Sequence, residues 1–301
     1  MDLNEYEHPL AVFLSSPGAA FKIDVTSSHL FLGYKPVIIA LPFSTSNREF
    51  DIVRVQDRVQ LSLINTESKS TRPIAYLKLQ KIGEKIFEKQ IILFFEATYG
   101  QHSFLNPLSL FVNRLNEKRT TRSITNINLH GNLYDQVRIA YAIPRLVAII
   151  TVSDGHLMNM FPTDLHGPIG DKVYCSSLRI GGKANDQVEK FKKLVVSEVR
   201  SSFFRQTYQM GKNHMQDLKT PETFVTDTDR SERFSLPLPE NVTMYRELTQ
   251  IGSLDHGIHR IHFYDVVNYH NNAEQSRLAH IHQYFAQWRL NQGLPMDMLL
   301  R

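Results

Sequence analysis

The side chains best suited to chemistry gather in the second half of this chain. Nine of its thirteen histidines lie between His156 and His282. His256, His259 and His262 are spaced by three, and imidazole is the commonest transition-metal ligand. Strand alternation argues against a shared metal. If the segment from Gly257 is extended, Gly257, His259, Ile261 and Phe263 face one way, and Ile258, Arg260, His262 and Tyr264 the other. Only His256 and His262 share a side, too far apart to chelate together, so no metal site is expected. His259 is the candidate catalytic residue. It follows Gly257, whose missing side chain lets a planar ligand or another backbone come close. The competing reading is a core histidine with one hydrogen bond.

A second cluster runs from Ser177 through Arg179, Gly181 and Gly182 to Lys183 and Asn185. Paired glycines permit close backbone approach, and a helix start offers free N–H groups. Arg179 and Lys183 supply positive charge, Ser177 a hydroxyl, and Asn185 is the candidate N-cap. This combination suits an anion, although neither the P-loop nor the GxGxxG pattern is present. GxSxG is absent as well, so no nucleophile elbow is expected. Cys175 is the single cysteine, which excludes an internal disulfide and any multi-cysteine metal site.

The motifs gain meaning in order. Pro144 to Gly155 reads Pro-Arg-Leu-Val followed by an Asp-Gly turn, and Asn159-Met160-Phe161-Pro162-Thr163 comes next. Gly211 to His214 and Asp255 to His259, with the strand Ile261 to Val267, follow. Over residues 133–290 the set resembles the flavin reductase-like family of FMN-binding split β-barrels. The resemblance implies FMN as cofactor and NAD(P)H as reductant, with hydride chemistry carried by the flavin. It implies contacts from Asn159, Met160, Phe161, Pro162 and Thr163 to the flavin, and phosphate held by Arg179, Lys183 and the helix near Asn185. It also implies His259 beside the flavin or nicotinamide, and a homodimer with the flavin at the subunit interface. Two departures stand out. Gly181-Gly182-Lys183 replaces the family's usual threonine, and Asp164 or His166 stands where a hydroxyl is usual. An acid there must point away from a phosphate or weaken its binding. Two other readings stay open: a non-catalytic split-barrel protein that binds flavin or another cofactor, and a cofactor-free interaction protein.

The elements that position these residues read as mainly β with a few helices. The expected fold is a Greek-key split barrel over 126–301, preceded by a β-rich extension, residues 1–125, of unassigned role. Strands are expected at Val37 to Leu41, Val53 to Leu63, Ala75 to Ile82 and Ile91 to Phe95, with a hairpin turn at Gly83-Glu84. A helix is expected over 105–119, and the polar stretch 116–132 is the expected boundary. Strands follow at 145–153, 173–180, 194–199 and 256–267, helices at 185–193 and within 201–218, and a final helix or extended segment at 278–290. No internal repeat of fixed period is visible. Hydrophobic residues at 42% and charged residues at 21% exclude a wholly disordered or low-complexity chain. A net charge of +4 is no nucleic-acid signature. Neither an export signal nor an apolar run of membrane-spanning length is present, so a cytoplasmic location is expected and a membrane partner is not.

Overall fold

The computed structural model describes residues 10–16, 21–66, 72–105, 108–109, 112, 129, 131–271, 277–281, 283–291 and 293. The expected helix over 105–119 and the boundary stretch 116–132 fall almost wholly outside the described residues.

Seven strands come first: β1 (Leu10–Ser15), β2 (Lys22–Asp24), β3 (Leu30–Tyr34), β4 (Val37–Ser44), β5 (Arg58–Asn65), β6 (Ala75–Phe87) and β7 (Gln90–His102). They form one sheet in the order β2-β1-β5-β6-β7-β4-β3. The short β8 (Arg145–Leu146) pairs with β18 (Ala279–His280). Then come β9 (Ala148–Ser153), β10 (Met158–Thr163), β11 (His166–Pro168), β12 (Val173–Arg179), β13 (Lys193–Val199), the small pair β14 (Thr226–Arg230) and β15 (Pro237–Pro239), β16 (Val242–His256) and β17 (His259–Asn271). The second large sheet runs β10-β9-β13-β16-β17-β12-β11. The mainly β reading of the sequence holds, and both large sheets are antiparallel throughout.

The sheets are laid face to face. In β4 the even and odd residues are both buried, as expected of a strand covered on two sides. Val37, Ile39, Leu41 and Phe43 enter the interior of the first sheet. Ile38 and Ala40 point the other way and join Ile92 and Phe94 against Val173, Cys175, Ile261 and Phe263 of the second sheet. A separate core containing Ile150, Phe161, Val188, Leu194 and Tyr264 fills the second sheet. The helix Asn132–Ala140 and, through Phe285 and Trp288, the helix Gln283–Asn291 pack into the first sheet's core.

Several local expectations are corrected. Val53 and Val55 do not begin a strand. Residues Arg48–Arg54 form a helix capped by Asn47, whose side chain accepts from Glu49 N. Phe50 and Val53, three apart, bury its inner face, so the helical period wins over the alternation. The β6–β7 turn lies at Glu88-Lys89, not Gly83-Glu84. Gly83 marks a register shift inside β6, a common use of glycine in a strand. The helix expected from Asn185 starts earlier, spanning Lys183–Phe191 with Gly182 as N-cap. The helix expected within 201–218 is there, Phe204–Gln209, flanked by 3-10 turns. The strand expected over 256–267 starts later, β17 beginning at His259, and it is the second arm of a hairpin whose first arm, β16, was not expected. β16 ends at His256, the chain turns at Gly257-Ile258, and His256 pairs with His259.

Candidate functional site

The C-terminal end of β12, the helix start that follows it, and the β10–β11 connection converge on one cavity of about 280 Å³. Its walls include Pro162, Thr163, Asp164, Ser177, Arg179, Gly182, Asn185, His214 and His259 from the second half of the chain. Tyr34, at the end of β3, and Tyr141, just after the helix Asn132–Ala140, close it. A neighbouring cavity of about 230 Å³ shares Pro162, Thr163 and Asp164 and continues to Tyr208 and His280.

His259 opens β17 and pairs directly with Arg179 on β12. It is 2% exposed. Its Nδ1 lies 3.3 Å from Ser177 Oγ, while its Nε2 has no hydrogen-bond partner. Tyr34 meets the ring edge-on at 4.5 Å, a favourable aromatic geometry. Burial, with the charge of Arg179 adding and Asp164 opposing, lowers its pKa to about 4. The imidazole is therefore neutral near pH 7, suited to hydrogen bonding and stacking rather than to carrying charge. Ile261 and Phe263 share its face, as alternation requires, but they turn into the core between the sheets. Gly257 gives room to backbone, not to a flat ring. A Cβ there would sit 2.2 Å from Lys35 O, and Ile258 N donates to that same oxygen at 3.2 Å.

Arg179 is exposed at the cavity mouth. The helix Lys183–Phe191 begins beside it with no side chain bonded at its N-cap. Unused first-turn N–H groups and the positive end of the helix dipole both favour a negative group. Asn185 lies in this first turn, where its Oδ1 accepts from His262 Nε2 at 3.1 Å. Lys183 turns outward and pairs with Asp217 at 2.8 Å.

Asp164 does face the cavity. Its Oδ2 lies 2.7 Å from His280 Nδ1, and Tyr141 OH donates to Oδ1 at 3.4 Å. Burial opposes ionisation, but the bonds and charges from His280, His166 and Tyr141 outweigh it and hold the pKa below the usual carboxylate value. The carboxylate is thus engaged on its far side by His280.

Of the residues singled out from sequence, Pro162, Thr163, Ser177, Arg179, Asn185 and His259 come together at this cavity. Asn159, Met160 and Phe161 do not line it. All three are fully buried, and Asn159 Nδ2 is spent on Gln187 Oε1 and Asn213 O. Their strand edge is covered by the turn Met210–Met215: Asn213 donates to Met160 O at 2.8 Å, and His214 Nε2 bonds Pro162 O at 2.6 Å. The Gly211 to His214 motif thus acts by fastening β10. Tyr34 and Tyr141 carry no local motif, and only packing of the two halves brings them here.

No family model matches this sequence, and no curated protein matches it. Solved structures similar to it include an NADH:FAD oxidoreductase of Streptomyces globisporus, at 10% identity and a TM-score of 0.45, covering 53% of this chain and 94% of that one. An FMN-binding protein of Thermus thermophilus matches at 12% identity and a TM-score of 0.44, covering 54% and 93%. The flavin reductase component of a bacterial two-component tryptophan halogenase matches at 12% and 0.44, covering 49% and 92%.

Proposed function

We propose that the cavity holds FMN and that the chain is an NAD(P)H-dependent flavin reductase-like oxidoreductase of the cytoplasm. The observation that carries this reading is the unpaired Nε2 of His259, buried beside Ser177 in the cavity whose mouth holds Arg179 and an uncapped helix start. A buried polar atom without a partner is costly, and a ring carbonyl or ring nitrogen of a flavin would satisfy it. At the mouth, Arg179 and the N–H groups of the helix start suit a terminal phosphate.

FMN, when bound, supplies the hydride-accepting and hydride-donating centre. The chain's own work is placement. Arg179 and the helix start at Gly182 fix the anionic end. Ser177 orients His259 through Nδ1. Tyr34 packs edge-on against that ring. His280 occupies Asp164 Oδ2. Hydride transfer asks for no side-chain acid or base, and the neutral His259 fits that need.

A titration of the purified chain with FMN, followed by quenching of flavin fluorescence, tests the binding. NADH and NADPH oxidation by the loaded protein then tests the activity. Absence of quenching at micromolar concentrations would refute the flavin reading.

A further inference from the structure

The two large sheets have the same strand order and the same succession of hairpin, hairpin, helix, single strand and long hairpin, the second adding the helix Phe204–Gln209 and the β14–β15 pair between β13 and β16. The likeness extends to individual residues. In β6–β7 the register shifts between Lys78 and Leu79 and again between Lys81 and Gly83. In β16–β17 it shifts between Glu247 and Leu248 and again between Gln250 and Gly252. Aligning Gly83 with Gly252 superposes both bulges and the whole pairing scheme without a gap. It places Phe87 on His256, Gln90 on His259 and Phe94 on Phe263. The positive-φ turn residues coincide too, Glu88 at 38° and Gly257 at 57°. Bulges are placed features of a fold, not accidents of a strand. From β4 to β5 the same holds: Ala40 falls on Cys175, the helix start Arg48 on Lys183, and Val53 on Val188.

The halves also touch as symmetry mates do. A two-fold interface is self-complementary, so residue i of one copy meets j of the other and j meets i. The hydrophobic layer between the sheets pairs Ala40, Ile92 and Phe94 with their counterparts Cys175, Ile261 and Phe263. Leu30 and Gly167 are counterparts, each paired to the matching position on its neighbour strand, and they face one another: a Cβ on Gly167 would lie 2.4 Å from Leu30 Cδ2. The β16–β17 turn rests on the β3–β4 turn, Ile258 N to Lys35 O. At the matching place in the other copy, Gln90 of the β6–β7 hairpin rests on the β11–β12 turn: with its amide oriented nitrogen-inward it donates to Ile169 O at 3.1 Å across the interface and to Phe43 O of its own sheet at 3.0 Å.

We infer that the chain holds two copies of one fold joined as an internal pseudo-two-fold dimer, in which one of two equivalent clefts is open and the other is sealed. The open cleft is the cavity described above, and the first copy completes it with Tyr34. At the sealed one, Arg179 is replaced by Ser44, Ser177 by Pro42, Asn185 by Phe50 and His259 by Gln90. Phe43 and Phe50 pack together there at 6.1 Å, and Gln90 lies against Gly170, whose Cβ would come within 2.7 Å of its amide carbon. The first half is therefore no appendage. It takes the place of the second chain in the homodimer expected from sequence, and the protein binds one ligand per chain.

The ligand arm of this inference rests on the FMN reading, and the architectural arm does not. Light scattering should give the mass of one chain, and FMN titration one site per chain. Tyr34→Ala, a change in the first copy, should weaken FMN about three- to tenfold through loss of the ring that holds His259, read on the folded fraction because Tyr34 also packs on the first sheet's core. For the architecture, Gly167→Leu should melt early by collision with Leu30. The swapped pair Leu30→Gly with Gly167→Leu should recover most of the loss, because equivalent positions exchange side chains. A mass of two chains, two FMN per chain, unchanged FMN affinity in Tyr34→Ala, or a swap no better than the single variant would overturn the inference. If FMN does not bind at all, the flavin reading falls, and the mass and the swap still decide the architecture.

Discussion

Acid should weaken this fold through His262, by an amount the surroundings of the ring set. The side chain is fully buried. Its Nε2 lies 3.1 Å from Asn185 Oδ1, and its Nδ1 lies 3.2 Å from Gln250 Nε2 and 3.3 Å from Glu189 Oε1. The neutral ring protonated on Nε2 donates to Asn185 and accepts from Gln250. Burial lowers the pKa to about 4, with Glu189 opposing and Arg260 adding. The unfolded chain, with a histidine near 6.5, binds the proton more readily. Stability is therefore at its full value above about pH 6.5, falls as pH drops toward about 4, and levels below that. Between pH 7.5 and pH 5.0 the linkage amounts to about 2 kcal/mol for this ring. His259 and His29 are shifted in the same direction, so the wild-type dependence is steeper than one ring explains. His262→Gln isolates the share, since glutamine bonds but does not titrate. Urea unfolding followed by the fluorescence of Trp288, the single tryptophan, would be measured at both pH values. The variant should lose about 2 kcal/mol less than wild type on acidification. A variant that keeps the full wild-type pH dependence would show that His262 is not the titrating group.

Arg179→Ala should weaken FMN roughly ten- to hundredfold, the cost of one charge-assisted contact, and riboflavin much less, because only FMN carries the phosphate; equal losses for both ligands would make the side chain structural. His259→Ala should weaken FMN roughly two- to tenfold by removing the Nε2 bond and slow NAD(P)H oxidation by the protein saturated with FMN. If it melts several degrees early and keeps its rate per folded molecule, the ring serves packing alone. Cys175 is fully buried, and burial raises its thiol pKa far above the ordinary value, so a thiol-specific reagent at pH 8 should label it only after denaturant is added; rapid labelling of the native protein would contradict its place between the sheets.

Local pattern in the sequence was enough to mark β4, β9, β12 and β13, because each is a dense apolar run or a clean alternation bounded by turn residues. It was also enough to draw Ser177, Arg179 and Asn185 toward one site, since a strand end, paired glycines and a helix start follow each other within ten residues, while His259 was joined to them by the family resemblance. It misplaced Val53 and Val55 because a seven-residue helix with two buried positions imitates a strand. It found β17 but started it at His256, because Gly257 and Ile258 interrupt the alternation only at the turn itself, and it left β16 unassigned. The repeat stayed hidden for a deeper reason. The two copies share bulges, registers and burial, which many side chains satisfy, and few identities such as Ile82-Gly83 with Ile251-Gly252 survive. The cavity's far wall was beyond local reading as well. Tyr34 meets His259 across 225 positions of sequence only because two apolar sheet faces, neither stable in water alone, bury each other and bring the β3–β4 turn onto the start of β17.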